Sequence, residues 1–236
     1  MIECHSLTKK YDNFLALDGI NLTVEKGVFG LLGTNGAGKT TTIKILVTLL
    51  KPTSGTALIG GIDVVQHPME VKKKIGYLPE MPALFEHLTG REFLELIGAL
   101  REMPEKRISQ KVEELSRMLG ITEYLDTLCS TLSKGTRQKF AFAAAVFHDP
   151  EYLILDEPLL GLDPKYLHVA KNYIREYGKE HVVFMSTHIT SLAEEICDTI
   201  GIIHRGKLLV CGTLREIMGE HSSLEEAMIK VIDAAG

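Results

Sequence analysis

A short apolar run leads directly into a glycine-rich loop at Val28-Phe29-Gly30-Leu31-Leu32-Gly33-Thr34-Asn35-Gly36-Ala37-Gly38-Lys39-Thr40. The apolar part is short and uncharged, which is typical of a fully buried β-strand. Apolar residues at helical spacing then extend from Lys39 to about Leu50, where a Pro- and Gly-containing turn signal follows. This order of strand, loop and helix is the context in which the pattern G-x-x-x-x-G-K-[ST] binds phosphate groups.

The chemistry of the loop suits a nucleoside triphosphate with a metal ion. Its glycines allow backbone N–H groups to converge on phosphate oxygens, and the start of the following helix adds a partial positive charge. We expect Lys39 to reach the β- and γ-phosphates and Thr40 to offer its hydroxyl to Mg²⁺. A glycine-rich turn without a ligand is the alternative. The predicted phosphate-binding residues are Gly33, Thr34, Asn35, Gly36, Ala37, Gly38, Lys39, Thr40 and Thr41.

A second apolar strand ends in two acidic residues. The run from Tyr152 to Leu155 leads into Asp156 and Glu157, and open α/β sheets bind their ligands at the carboxyl ends of their strands. We expect Asp156 to hold Mg²⁺ and Glu157 to polarise the attacking water or accept its proton. A solvated strand end would also explain two acids here, but the phosphate loop in the same chain favours catalysis.

Strand and helix patterns alternate along most of the chain. This alternation predicts an α/β fold with a mainly parallel sheet and helices on both faces. Between about residues 84 and 130 the pattern is helical, with a capping box at 89–92, so we expect a helical insertion. A hairpin and amphipathic helices are predicted over about 200–236, and the whole chain, 1–236, is expected to form a single nucleotide-binding domain. Further short strands are predicted at 2–7, 20–24, 56–59, 74–78 and 182–185.

Composition and charge limit the possible functions. The 236 residues include 26 basic and 31 acidic side chains, and the net charge of −5 argues against binding nucleic acid through bulk charge. The four cysteines form no Cys-x-x-Cys pair and are expected to be buried free thiols of a reducing cytosol. No signal peptide is visible, and the apolar runs are far shorter than the ~18 residues that span a bilayer. A function at a membrane would therefore need another protein.

Further motifs accompany the loop and the acidic pair. They are Tyr11, Leu132-Ser133-Lys134-Gly135-Thr136-Arg137-Gln138, Gly161-Leu162-Asp163-Pro164 and Ser186-Thr187-His188. Together the six motifs resemble those of the ATP-binding cassette (ABC) family, the ATPase subunits of ABC transporters. The resemblance extends from Tyr11 to the predicted hairpin near Gly206. The order and spacing of the whole set are far more specific than any single motif.

The resemblance implies the ABC ATPase fold, in which a P-loop NTPase-type, mainly parallel sheet carries an antiparallel β subdomain and a helical insertion. It implies ATP and Mg²⁺ as cofactors. Tyr11 would stack on adenine, Asp163 would belong to the D-loop, and His188 would be the switch histidine. Ser133 and Gly135 would belong to the signature motif, which faces the ATP of a second cassette because two cassettes of this family pair head to tail.

Ser133 and His188 each have a simpler explanation. Ser133 stands where a helix would start, so its hydroxyl and nearby N–H groups would form an anion site, although an ordinary N-cap uses serine in the same way. One chain would then carry two separate phosphate-binding helix ends. A histidine at a strand end is often structural, but His188 follows the strand next after that of Asp156 and could reach a γ-phosphate. Glu157 and His188 are the predicted catalytic residues.

Two positions depart from the commonest pattern of the family. Glu80 stands where a glutamine is usual, and a carboxylate there keeps the metal-binding oxygen while adding charge. Thr40, Glu80 and Asp156 are the predicted metal ligands. Lys134 replaces a glycine of the signature, which places a cation near the phosphates. Both replacements, with the Gly-Leu-Asp-Pro ending of the D-loop, resemble the branch whose ATPases serve as separate subunits of exporters.

The resemblance also implies partners and a location. The chain would be the ATP-hydrolysing subunit that powers a separate integral membrane permease, working with a second copy of itself or a similar cassette. It would lie in the cytoplasm on the inner face of the cell membrane, held there by the permease. A permease helix would enter a groove near Leu84, Phe85, Leu88 and Phe93, unless these are core residues. No nucleic acid partner is expected.

Two other functions stay open at this point. A cassette ATPase without transport would act as a conformational clamp on DNA, ribosomes or an assembly machine. The chain has neither the long coiled-coil insertion nor the second cassette that such relatives usually carry. A P-loop kinase or nucleotide switch would leave the stretch 133–136 unexplained.

Overall fold

The computed structural model describes residues 1–159 and 163–235, and the predicted D-loop residues Gly161 and Leu162 lie outside them. None of the described helices is long and apolar enough to cross a bilayer. The strands are β1 (Ile2–Tyr11), β2 (Phe14–Val24), β3 (Gly27–Leu32), β4 (Ser54–Ile59), β5 (Ile62–Asp63), β6 (Ile75–Leu78), β7 (Tyr152–Asp156), β8 (Val182–Thr187), β9 (Thr199–His204) and β10 (Lys207–Thr213). The helices are α1 (Lys39–Leu46), α2 (Pro68–Lys74), α3 (Gly90–Leu100), α4 (Glu105–Leu119), α5 (Lys134–Val146), α6 (Pro164–Gly178), α7 (Thr190–Ile196), α8 (Leu214–Met218) and α9 (Leu224–Ala234).

The larger sheet has six strands in the order β10–β9–β3–β8–β7–β6. Its strands run parallel except for the edge strand β10, which is antiparallel to β9. This arrangement confirms the predicted mainly parallel sheet. Because the carboxyl ends of β3, β7 and β8 meet at one edge, the glycine-rich loop, the acidic pair and His188 come together there.

The strand β3 is buried on both faces, and its side chains separate two hydrophobic cores. Phe29 and Leu31 belong to a core shared with the smaller sheet and α1, where the rings of Phe29 and Phe184 have centroids 5.1 Å apart. Val28 and Leu32 belong to the core on the other face. Successive residues of a strand point to opposite faces, so an unbroken apolar run is needed to fill both cores.

The smaller sheet is antiparallel, in the order β2–β1–β4–β5, as the antiparallel subdomain of the predicted fold requires. Its first two strands are longer than the predicted segments at 2–7 and 20–24, because they continue as a hairpin to the facing pair Tyr11 and Phe14. The distal half of β1 reads Thr8-Lys9-Lys10. This stretch lacks apolar alternation, so the hydrophobic pattern predicted a strand that was too short.

Two helical segments differ from the prediction. The helix α1 ends at Leu46 instead of about Leu50, because Thr48 has a left-handed backbone, with φ +65°, which ends the helix. The helix α2 was not predicted. Its Pro68 stands at the first helical position, where a missing N–H is tolerated, but a helix of this length shows too little periodicity to be recognised.

The predicted helical insertion contains α3 and α4. The capping box begins α3 as expected: the Thr89 hydroxyl accepts a hydrogen bond from the Glu92 N–H at 3.2 Å, and the Thr89 N–H donates to the Glu92 carboxylate at 2.8 Å. The Thr89 N–H and the Thr89 hydroxyl both donate to the Glu92 carboxylate, and these two bonds lower the pKa of Glu92. The start of the insertion is therefore fixed by local hydrogen bonds.

The prediction of buried thiols holds for three of the four cysteines. Cys4, Cys129 and Cys197 are buried, and burial raises the pKa of Cys4 and Cys197 to about 12. For Cys211 the prediction is wrong, because this residue is exposed on the edge strand β10. A thiol with a raised pKa is seldom a thiolate, so the buried thiols act as packing residues.

An ion pair links the helical insertion to the segment that enters β7. The buried ammonium of Lys111 on α4 lies 2.6 Å from Asp149, which also contacts Arg107 at 3.1 Å. We expect Asp149→Asn to lower the free energy of unfolding by about 1–3 kcal/mol, less than for a fully buried pair because Asp149 is partly exposed. Asparagine tolerates the left-handed backbone of this position, φ +50°. Urea unfolding measures the loss.

Glu151→Gln is the matched control, because it removes a surface pair in which Glu151 lies 2.7 Å from Lys74. Exposed pairs of this kind contribute about 0–1 kcal/mol. If the free energy of unfolding falls by the same small amount in both variants, the burial of Lys111 has no effect on the strength of its ion pair.

Candidate active site

The glycine-rich loop adopts a backbone that suits glycine. Gly36 and Gly38 are left-handed, with φ +79° and +117°. A Cβ atom on Gly38 would lie 2.9 Å from the carbonyl oxygen of Ala16 on β2. The strand β2 therefore packs directly against the end of the loop and the start of α1.

Lys39 is a buried cation surrounded by oxygen atoms. Its side chain is 6% exposed, and Nζ donates to the carbonyl oxygen of Gly33 at 2.7 Å. The same Nζ lies 3.3 Å from Oε1 of Glu157. These partners offset the cost of burying the charge. A phosphate oxygen is also an anionic acceptor and can replace either of them.

Asp156 is buried between two hydroxyl groups. The Thr40 hydroxyl donates to Oδ1 of Asp156 at 3.3 Å, and the Ser186 hydroxyl donates to the same atom at 2.6 Å. Two of the three predicted metal ligands are thus side by side, although they are 116 positions apart in the chain. Hydroxyl and carboxylate oxygens are ligands that Mg²⁺ prefers, so this donor set fits the ion.

Ser186 was not among the predicted site residues. It stands opposite Asp156 in the parallel register of β7 and β8, and its hydroxyl also accepts a hydrogen bond from the Glu157 N–H at 3.0 Å. One signal for Ser186 was available in the sequence: it ends an apolar strand. Its hydroxyl was therefore expected to be buried, and a buried hydroxyl needs a hydrogen-bond partner.

Glu157 turns back toward the loop through an unusual backbone conformation. Its φ is +49°, a left-handed value that costs a non-glycine residue about 1–2 kcal/mol. The carboxylate is 7% exposed, and its Oε1 contacts Nζ of Lys39 at 3.3 Å and Nδ1 of His188 at 3.0 Å. The two predicted catalytic residues are therefore in direct contact beside the loop lysine.

An open cleft of about 350 Å³ adjoins these groups, and its size is suitable for a small ligand. Gly33, Ala37 and Asp156 are buried and contribute no surface to it. The predicted residues that line the cleft are Tyr11, Thr34, Asn35, Gly36, Gly38, Lys39, Thr40, Thr41, Glu80, Glu157 and His188.

Three predicted residues lie away from this cleft, at the starts of two helices. Ser133 is exposed and caps α5, since its hydroxyl accepts a hydrogen bond from the Thr136 N–H at 3.2 Å. Asp163 caps α6 and accepts from the Tyr166 N–H at 2.9 Å, which lowers the pKa of Asp163. Gly135 lies in the first turn of α5. Within this chain Ser133 is thus an N-cap, the simpler of its two explanations.

Two further residues that line the cleft, Phe14 and Ala16, come from β2. Phe14 stands opposite Tyr11 in the β1–β2 hairpin and is 62% exposed despite its large apolar ring. Ala16 lies two residues further along the same face, beside Gly38. The strand therefore extends ~6.6 Å from the loop to a pair of aromatic residues. Phe14 was missed because the predicted strands, 2–7 and 20–24, stop short of the hairpin on either side.

The fold and the cleft together define a class of protein. A buried parallel strand, a glycine-rich loop and a helix that begins with lysine lie beside an acidic pair on a second strand of the same sheet. A buried lysine, a hydroxyl beside a buried carboxylate and two aromatic rings at the cleft complete the set. This combination is that of a P-loop nucleotide hydrolase.

Comparisons with known proteins identify the family. The ABC transporter family model matches residues 17–160, more than half of the chain. The ABC transporter ATP-binding protein NatA of Bacillus subtilis is 36% identical over 205 residues, which cover 86% of this chain and 83% of that protein. The chain belongs to the ABC transporter family, and it is an ATPase of that family.

Solved structures agree with this assignment. A structure described as the ATP binding subunit of an ABC transporter matches with a TM-score of 0.93 and 31% identity, over 98% of this chain and 99% of that one. The dimeric structure of MJ0796, a bacterial ABC transporter cassette, matches with a TM-score of 0.81 and 25% identity, over 91% and 99%. The predicted ABC ATPase fold is confirmed, and ATP binding follows from the family.

Phe14→Ala should weaken ATP binding and leave the phosphate site intact. Stacking on an aromatic ring contributes about 1–3 kcal/mol per base, so losing one of two rings should lower the affinity about 10-fold. Calorimetric titration with MgATP and with magnesium tripolyphosphate, which has no base, separates the two ends of the cleft. Only the affinity for MgATP should fall.

Leu15→Ala is the control, because Leu15 is the next exposed apolar residue of β2 but does not line the cleft. It should change neither affinity. Weaker binding of tripolyphosphate to Phe14→Ala would indicate a distorted loop, and unchanged ATP affinity would exclude Phe14 from the base site.

Proposed function

We propose that this protein hydrolyses ATP with Glu157 as the general base and so powers a separate membrane permease. The observation that carries the proposal is the position of the Glu157 carboxylate, 3.3 Å from Lys39 and 3.0 Å from His188 in the nucleotide cleft. A carboxylate in this place can accept the proton of a water that attacks a γ-phosphate held by Lys39.

The other residues of the cleft bind and orient the nucleotide. Tyr11 stacks on the adenine, and the backbone N–H groups of the loop hold the phosphates. Thr40, Asp156 and Glu80 would hold Mg²⁺, which would supply positive charge to the phosphate oxygens. Glu80 lines the cleft, and its carboxylate offers the oxygen that a glutamine supplies in the commoner form of the family.

Phosphate binding releases the general base. Lys39 and Glu157 neutralise each other in this structure. Phosphate oxygens compete with Glu157 for the ammonium group, and successful competition leaves the carboxylate in contact with His188. With its proton on Nδ1, His188 donates to Oε1 of Glu157 and orients the carboxylate.

We assign to the exposed start of α5 the binding of a nucleotide that is held in the cleft of a second copy of the chain. Ser133 and Gly135 lie outside the chain's own cleft, and the first turn of α5 contains no acidic residue. Backbone N–H groups at such a helix end attract phosphate. A two-fold dimer brings each start of α5 over the partner's cleft and makes the two sites equivalent. The dimeric MJ0796 cassette supports this arrangement.

A second cleft is the proposed docking site of the permease. Its volume is about 340 Å³, and it lies between the helical insertion and α5, with Phe85 and Phe93 in its lining. Phe85 is 55% exposed, whereas Phe93 is buried. Leu84 and Leu88 do not line it and belong to the hydrophobic core or pack against it. For these two leucines the alternative of a core position therefore applies.

Attachment to the permease holds the protein at the inner face of the cell membrane, in the cytoplasm. NatA, which matches 86% of this chain, is an ABC transporter ATP-binding protein, and this supports a transport role over that of a free-standing clamp. We extend the proposal to an exporter, because Glu80 and Lys134 stand where the commoner form of the family has glutamine and glycine.

Glu157→Gln keeps the shape of the side chain and removes the base. ATP turnover should fall by about 10²-fold or more. The affinity for ATP should hold or rise, because the negative charge that competes for Lys39 is gone. A phosphate-release assay and calorimetric titration measure the two quantities.

Glu80→Gln and His188→Ala complete the comparison. Glu80→Gln should have a milder effect, since an amide oxygen can still face the metal. Near-normal turnover in Glu157→Gln, together with a collapse in His188→Ala, would transfer the catalytic role to the histidine.

The Glu157→Gln variant should dimerise when ATP and Mg²⁺ are present. Slow hydrolysis keeps ATP in the cleft, so light scattering should give twice the monomer mass of 26.1 kDa. Adding Ser133→Asp preserves an N-cap but places a negative charge against the partner's phosphates, so the dimer should be lost. A double variant that still dimerises would leave Ser133 as an N-cap alone. A Glu157→Gln variant that stays monomeric would exclude the ATP-sandwich dimer for the isolated subunit.

A further inference from the structure

The docking cleft adjoins a second, larger cleft. This neighbour has a volume of about 540 Å³ and is lined by residues of α2, by the end of α3 and by His148. Leu100 and Arg101 line both clefts, so the two lie side by side. We call the two adjoining clefts together the Arg101 groove.

The Arg101 groove exposes large apolar side chains. Leu100 is 68% exposed and lines the docking cleft together with the exposed ring of Phe85. Met69 is 65% exposed and lines the neighbouring cleft together with Leu100. Single exposed apolar residues are common on protein surfaces, but several that share one concave surface are typical of an interaction site.

The cations of the groove have no acidic partner among the residues that the structure describes. The guanidinium of Arg101 is half-buried and donates to backbone carbonyl oxygens. Within residues 1–159 and 163–235, no carboxylate lies within ion-pair distance of Arg101, Lys72 or Lys73. The adjacent Lys74 differs, since it lies 2.7 Å from Glu151. Burial lowers the pKa of Arg101, because its charge is partly removed from water without a compensating anion.

The groove is therefore positive in a chain of net charge −5. Its described lining contains three cationic side chains and one acidic side chain, Glu102, which is exposed at the rim. His148 adds no charge at neutral pH, because burial lowers its pKa to about 4. A ligand that neutralises the excess positive charge of the groove must carry negative charge. If it also covers Leu100 and Met69, it must have apolar groups as well.

One wall of the groove carries small side chains against which a helix can pack. Ala141, Ala144 and Ala145 of α5 line one wall at the spacing i, i+3 and i+4, so small side chains follow one face of α5. Small residues along such a wall allow the backbone of a partner helix to approach closely. An amphipathic helix in an apolar groove is a common mode of recognition between proteins.

We propose that the Arg101 groove binds a helical segment of the permease that carries an acidic side chain beside apolar ones. The proposal rests on the proposed transport function and adds the chemistry of the partner segment. The acidic side chain pairs with Arg101, Lys72 and Lys73, and the apolar ones cover Leu100 and Phe85. Charge pairing then fixes the register of the segment in the groove.

Charge reversal in the intact complex tests the proposal. The protein is purified from membranes together with the permease it holds, and dissociation is measured as a function of salt. Lys72→Glu/Lys73→Glu should weaken the association at least about 10-fold. Basal ATP turnover of the isolated chain should not change, since neither lysine lies in the nucleotide cleft. Arg101 is left intact because it also bonds to the backbone, so its loss could disturb the fold.

Lys106→Glu/Lys230→Glu is the matched control. It makes the same change of charge at two exposed lysines outside the groove and should leave the association intact. An undiminished association in Lys72→Glu/Lys73→Glu, or an equal loss in the control, would overturn the proposal.

Peptides that cover each cytoplasmic loop of the copurified permease identify the segment. One peptide should bind the wild type, and its affinity should fall about 10-fold when its acidic residue is replaced by glutamine. The same peptide with lysine in that position should recover binding to Lys72→Glu/Lys73→Glu. If no peptide depends on an acidic residue, the proposal fails.

Phosphatidylglycerol vesicles distinguish a lipid surface from a protein segment. Vesicle binding that is lost in Lys72→Glu/Lys73→Glu, with permease association intact, would assign the groove to lipid and overturn the proposal. If the wild type holds no permease, the proposed transport function fails with it. If wild type and variant hold the permease equally, only the acidic-segment proposal fails.

Discussion

The arrangement of side chains in the nucleotide cleft depends on a buried ion pair between Lys39 and Glu157. Two side chains that are each less than a tenth exposed meet at 3.3 Å only because β3 and β7 end at the same edge of the sheet, with β8 between them. The contact also needs the left-handed backbone of Glu157. Removing one partner of a buried pair leaves an uncompensated charge. A ligand that binds Lys39 must therefore bring its own negative charge, as the phosphates of ATP do.

The same sheet connects the groove to the cleft. Arg101 at the end of α3 donates to the carbonyl oxygen of Ile75, the first residue of β6, and Lys111 on α4 pairs with Asp149, which precedes β7. The strands β6 and β7 pair in parallel register, and β7 ends in Asp156. The helical insertion is thus attached to the amino ends of two strands, and the acidic pair follows the carboxyl end of one of them. A partner seated on the insertion contacts the same rigid element that positions the catalytic carboxylate.

The residues predicted from sequence were those whose neighbours in the chain fix their position. The glycine-rich loop, Asp156 and Glu157 each follow a buried strand, so a local pattern located them. Phe14 and Ser186 were missed because their places depend on pairing between strands: Phe14 faces Tyr11 across a hairpin, and Ser186 faces Asp156 across a parallel register. The early end of α1 was missed for a related reason, since it depends on one left-handed residue that the helical pattern does not mark.

The two helix starts outside the cleft are connected to each other. Lys139 of α5 lies 3.4 Å from Asp163, the N-cap of α6. The ion pair and the cap of Asp163 fix the start of α6 relative to α5, which carries Ser133. The two helix starts that the sequence predicts to face a nucleotide therefore hold a fixed position relative to each other.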